Sequence, residues 1–111
     1  MRVLLDESVP RDLGFALVGH FVRTVQTMGW AGLSNGKLLA VMLTENFETL
    51  VTCDQNLEYQ QRLDLPVSLI VVVVPNTRVS TVMPLASAIL EALDNIQPGE
   101  IVHISGAPLP T

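Results

Sequence analysis

Five short apolar runs rich in β-branched residues punctuate the chain: Arg2 to Leu5, Phe21 to Val25, Thr49 to Cys53, Val67 to Val74 and Glu100 to Ile104. Runs of this length and composition predict strands. The fourth is apolar on both faces, as a strand in a covered parallel sheet must be. Helical patterns lie between most of them. Leu13, Ala16 and Leu17 recur at helical spacing after Ser8 and Pro10, a pair suited to a helix start. Leu38, Leu39 and Met42 make a second stripe from Asn35. Val82, Leu85, Ala86, Ile89, Leu90 and Leu93 make a third and longest one, ending before Pro98-Gly99. Strands alternating with helices predict βαβ units: an α/β fold with a mostly parallel sheet of about five strands and helices on both faces.

In an open parallel sheet, ligands gather beyond the carboxyl ends of the strands, so the residues that follow each apolar run carry the candidate chemistry. "VLLD" ends the first run on Asp6 and "LVTCD" ends the third on Asp54. If these strands are neighbours, their carboxylates converge. Glu7 is the weaker candidate, because successive strand residues point to opposite faces. Asn56, two residues past Asp54, offers a neutral oxygen on the same side, and Asn35, in "GLSNGKLL", can approach from across the mouth. Each has a plainer reading as well. Asp54 or Asn56 suits the cap of a helix beginning near Leu57, Asn35 the cap of the second helix, and Asp6 the turn to Ser8.

Hard oxygen donors of this kind suit Mg2+ or Mn2+, which bind through one or two carboxylates, water and a substrate phosphate. Two aspartates favour one ion over two. Zinc is disfavoured, because His20 and His103 are far apart in the chain and Cys53 is the single thiol. The chemistry expected of such a mouth is phosphodiester hydrolysis. Gln60 and Gln61 fall on the turn after Asp54, where they either touch a substrate or form a solvated surface. Arg78 is a phosphate grip or an exposed loop arginine. Trp30, between two glycines, reads as a loop anchor, and Cys53, inside an apolar run, as a small buried thiol.

Composition narrows the picture. With 111 residues, 49% of them hydrophobic, the chain is expected to form one domain over residues 1–111, with 105–111 a flexible tail. The longest strictly apolar run, Leu69 to Val74, is six residues, so no membrane span is expected. "MRVLLDESVP" lacks the apolar core of a secretory signal, and a cytoplasmic location is expected. A net charge of −5, with six basic residues scattered from Arg2 to Arg78, opposes a broad electrostatic grip on nucleic acid. A polyanion would have to be met locally, through a cation that inverts the sign of an acidic pocket.

Taken in order, "VLLDESVP", "GH" before the second strand, "GWAGLSNGKLL" and "LVTCDQNLEYQQ" resemble the PIN-like family of small bacterial proteins, regarded as toxins of toxin-antitoxin pairs and akin to VapC-type ribonucleases. The resemblance spans residues 1 to 105. It implies a three-layer α/β/α PIN-like domain and a Mg2+ or Mn2+ site that cleaves single-stranded RNA. Asp6 matches the first catalytic acid and Asp54 the later one; beside them the residues themselves offer Asn35 and Asn56 as metal donors and Glu7, Ser8, Gln60 and Arg78 as supporting or substrate-binding groups. It also implies an antitoxin partner and a homodimer. The family usually carries acids where this chain has Asn35 and Asn56, so a PIN-like protein that binds without cutting is the alternative. A receiver domain of two-component signalling is a further rival. It shares acids after the first and third strands but needs a hydroxyl after the fourth and a lysine after the fifth, where this chain has "VVVVPN" and "IVHIS".

Overall fold

The structure, a computed structural model, describes residues 1–57 and 66–105. Along the chain run β1 (Arg2–Leu5), α1 (Leu13–Ala16), β2 (Phe21–Thr24), α2 (Asn35–Thr44), β3 (Thr49–Thr52), β4 (Ser68–Val73), α3 (Val79–Val82), α4 (Ala86–Asn95) and β5 (Ile101–Ser105). The strands form one sheet in the order β2-β1-β3-β4-β5, and every neighbouring pair is parallel. The chain forms β1 first, adds β2 on one side of it and crosses to the other for β3. That order places the topological switch point between β1 and β3.

Side chains alternating along the strands divide the core in two. On one face Val3, Leu5, Val51, Ile70, Val72 and Ile104 pack with Leu13 of α1 and with Ile89 and Leu93 of α4. On the other, Leu4, Leu50, Leu69 and Val71 pack with Leu38, Leu39 and Met42 of α2. Each fully buried Leu or Ile contributes about 1.5–3 kcal/mol relative to exposure. The fold is therefore held mainly by the same alternation that makes the strands legible.

All five strands lie within one residue of their predicted ends. The helices differ more, for local reasons. α1 is one turn long and starts at Leu13, because the Ser8 hydroxyl is engaged elsewhere and Asp12 holds the cap position without a side-chain bond. The long third stripe is divided into α3, a 3-10 turn over Met83–Leu85 and α4. Pro84 causes the break: it lacks an N–H, and its ring clashes with the carbonyl four residues back. α2 is capped at both ends. Ser34 Oγ accepts from the Lys37 amide at 3.4 Å. At the other end Asn46, at φ 63°, lets the Phe47 and Asn46 amides donate to the carbonyls of Met42 and Leu43, which turns the chain into β3.

Trp30 anchors its loop as expected, half-buried and edge-on to Phe47 at 5.7 Å between centroids. Among the described residues no helix is long and apolar enough to cross a membrane. Apart from Ser105, the expected tail falls outside the described residues.

Candidate functional site

Asp6 leaves β1 directly after Leu5, and its amide still donates to the Val51 carbonyl of β3 at 2.9 Å. The backbone ladder thus fixes Asp6 beside the end of β3. Its Oδ2 collects three donors: Ser8 Oγ at 2.8 Å, Thr52 Oγ1 at 2.9 Å and the Ser8 amide at 3.4 Å. Each hydroxyl also accepts from a backbone N–H, Thr52 from Asp54 and Ser8 from Cys53, both at 3.0 Å. A hydroxyl has one proton to give. Both protons point to Asp6, so the 3.5 Å approach of Ser8 Oγ to Thr52 Oγ1 is a contact between acceptors already in use.

Thr52 is completely buried and joins the two candidate acids: its hydroxyl donates to the Asp6 carboxylate and accepts from the Asp54 backbone. Strand prediction passes over such a residue, since a β-branched Thr is an ordinary strand former. A hydroxyl directly opposite the end of the neighbouring strand is the signal that finds it. Asp54 itself lies one residue farther out than expected. β3 stops at Thr52, Cys53 makes a bend, and Asp54 is exposed. Its Oδ1 accepts from the Asn56 amide at 2.9 Å, and its carbonyl from the Leu57 amide at 3.2 Å. Asp54 therefore closes a turn up to Leu57 while standing just beyond the end of β3; the helix that its plainer reading would cap lies outside the described residues.

The other candidates gather around this pair in different ways. Glu7 turns outward, and its Oε1 accepts from the Gly32 amide at 3.1 Å, tying β1 to the loop that enters α2. Asn35 is the first residue of α2, half-buried, and the cap is the preceding Ser34. Asn56 has an exposed side chain and is itself capped by Asp54. Ser8 orients Asp6 instead of starting a helix. Arg78 is exposed in the loop after β4, at the same sheet edge, where its amide donates to Asn76 Oδ1 at 3.1 Å. Gln60 lies outside the described residues.

Cys53 is half-buried, and burial pushes its thiol pKa up; the nearby Asp6 carboxylate pushes it further, against a hydrogen bond from Ser8. A thiol held protonated in this way is a packing residue and a poor nucleophile. His20 precedes β2, at the opposite edge of the sheet from Asp6, and His103 lies on β5. Neither is near the acidic rim in the sheet. Among the described residues no three of His, Cys, Asp and Glu form a group able to hold a metal ion. Asp6 and Asp54 are the carboxylates that Thr52 links, through the side chain of the first and the backbone of the second; Mg2+ bound with a substrate phosphate usually takes one or two. No protein-family model, curated protein or solved structure matches this chain.

Proposed function

We propose that the chain is a three-layer α/β/α PIN-like endoribonuclease dependent on Mg2+ or Mn2+ and the toxin component of a cytoplasmic toxin-antitoxin pair. The observation that supports it is the Thr52 hydroxyl, 2.9 Å from Asp6 Oδ2 and 3.0 Å from the Asp54 amide, which draws two acids distant in sequence to one rim. Asp6 and Asp54 are the groups that hold the cation, with Asn35 and Asn56 as neutral oxygen donors beside them. When bound, one such ion acidifies a water and neutralises the scissile phosphate. Ser8 and Thr52 fix the direction of the Asp6 carboxylate, and Arg78 stands at the same edge to meet a phosphate. Single-stranded RNA is the substrate class that the PIN-like resemblance implies.

The test is cleavage of a labelled single-stranded RNA by the purified protein with Mn2+, beside Asp6→Ala and Asp54→Ala at equal folding. Either change is expected to abolish a metal-dependent activity. Activity that survives both changes, or survives chelation, removes the rim as the catalytic centre. A well-folded chain with no cleavage under any divalent ion favours the PIN-like binding protein. Light scattering is expected to report a homodimer; monomer at high concentration counts against it.

A second reading, a receiver-like phospho-acceptor, is favoured by one observation: the strand order 2-1-3-4-5 is the one such domains use. Against it, residues 101–111 contain no lysine. Modification of Asp54 by acetyl phosphate with Mg2+, read by mass spectrometry, would establish it.

A further inference from the structure

A groove of about 440 Å³ runs along the outer edge of β2, between that strand and α1. Its size is that of a small-ligand site, not of a packing defect. Gly14 forms part of its floor; a Cβ there would lie 3.4 Å from Val22 Cγ1 and 3.7 Å from Leu5 Cδ1, so α1 packs closely on the strand at this point. At one end Leu5 and Thr24 line it, the last residues of β1 and β2, with Asp6 next in the chain. That end of the groove lies at the carboxyl ends of the two strands, the side of the sheet on which Asp6 follows β1.

Its lining inverts the character of the molecule. The chain carries 11 acidic and six basic residues, yet Arg11 and Arg23 line the groove and no Asp or Glu does. At the far end, Asp94 faces His20 at 3.6 Å. Arg23 is already set in place: its guanidinium lies 3.9 Å over the Phe21 ring, and one Nη1 proton goes to the Val22 carbonyl at 2.9 Å. Most of its five N–H groups remain to bind an anion. Phe15 stands on the α1 wall with 85% of its surface exposed. An exposed ring beside two guanidinium groups is the combination on which unpaired bases stack while arginines follow the phosphates.

We infer that this groove is a subsite for one unpaired nucleotide of the RNA, its base stacked on Phe15 and its phosphate held between Arg11 and Arg23. The strand then continues past Leu5 and Thr24 to Asp6. The inference rests on the ribonuclease reading, and it adds which part of the surface receives the strand. The sign of the groove selects a nucleic acid over an apolar partner, and the exposed ring selects unpaired bases over a duplex backbone.

The test is fluorescence anisotropy of labelled hexauridylate and hexaadenylate with the full chain in a chelator, so that binding is read without cleavage. Saturable binding is expected, weakened about tenfold by Phe15→Ala and again by Arg23→Ala, with the purine oligomer the tighter ligand. Arg11→Ala is expected to reduce the salt dependence by about one phosphate contact. Phe15 is exposed, so its removal leaves folding intact, and a circular dichroism melt checks this. Absence of binding, binding unchanged in both Phe15→Ala and Arg23→Ala, or equal competition by a deca-glutamate peptide overturns the subsite. In the Asp6→Ala protein the groove must still bind. If cleavage is absent while groove-dependent binding persists, the nuclease reading falls and the subsite stands. If cleavage occurs with a KM indifferent to Phe15→Ala, the subsite falls and the nuclease stands.

Discussion

At the amino end of β3 the buried Thr49 hydroxyl meets the buried Ser68 hydroxyl at 2.7 Å, and Ser68 passes its bond on to the Glu48 carbonyl at 3.1 Å. At the carboxyl end, three residues later, the equally buried Thr52 turns its hydroxyl to the Asp6 carboxylate. Both ends satisfy the rule that a buried polar group must find a partner. They differ in what the bond holds. At the amino end neutral groups satisfy one another, and the result is a closed seam between β3 and β4. At the carboxyl end the hydroxyl is committed to a half-exposed acid, so its effect reaches a side chain that solvent and ligands can also reach. Identical residue types in one strand thus serve cohesion at one end and orientation at the other.

The contrast breaks most sharply at the acid itself. Asp6→Asn is expected to lower metal-dependent cleavage at least about a hundredfold, with little loss of stability, in a Mn2+ cleavage assay paired with a urea melt. Should Thr49→Val lower cleavage as much, the two ends are not functionally distinct.

Thr52→Val comes next. The isosteric change removes the donor to Asp6 and leaves the Asp54 amide without its acceptor, so cleavage is expected to fall about 10–100-fold and stability by about 1–3 kcal/mol. The distinguishing readout is the Mn2+ concentration for half-maximal rate, expected to rise with Thr52→Val and to recover in Thr52→Ser. A stability loss with an unchanged metal requirement would make Thr52 no more than a second Thr49.

At the amino end, Thr49→Val and Ser68→Ala are each expected to cost about 1 kcal/mol, and together less than their sum, because both changes remove the same hydroxyl–hydroxyl bond. Urea denaturation of the four proteins measures this, with cleavage unchanged throughout.

The smallest effect concerns Cys53. Its raised pKa means slow alkylation by iodoacetamide near neutral pH, with the rate rising as pH rises. The negative charge on Asp6 disfavours a second negative charge on the thiolate. Asp6→Asn therefore lowers the thiol pKa and moves the alkylation profile to lower pH, a few-fold rate gain at mildly alkaline pH. An unmoved profile would mean that Asp6 does not act on the thiol.

Sequence reading reached the sheet more fully than the helices or the rim. Strands covered on both faces, such as Ser68–Val73, announce themselves as unbroken apolar runs whatever follows them. α1 was less legible because Ser8 and Pro10 suit a helix start, while the Ser8 hydroxyl has a stronger partner in a carboxylate brought close by the fold. Pro84 was visible in the sequence, yet the apolar stripe continues through it, and only the backbone shows the break at Met83–Leu85. Asp6 and Asp54 were legible because a strand end marks them. Thr52 was not, since its importance lies in a bond spanning 46 positions, which no local pattern encodes. Asn35 reads as a cap by type, but Ser34, one residue earlier, has the extended backbone a cap needs.

That 46-position bond carries a consequence in time as well as in space. During synthesis β1 and Asp6 emerge first, and the chain must grow through Thr52 before the carboxylate acquires its hydroxyl neighbour and the second acid arrives. A rim put together in this way stays incomplete while the chain is still leaving the ribosome, and is finished only when the third strand docks.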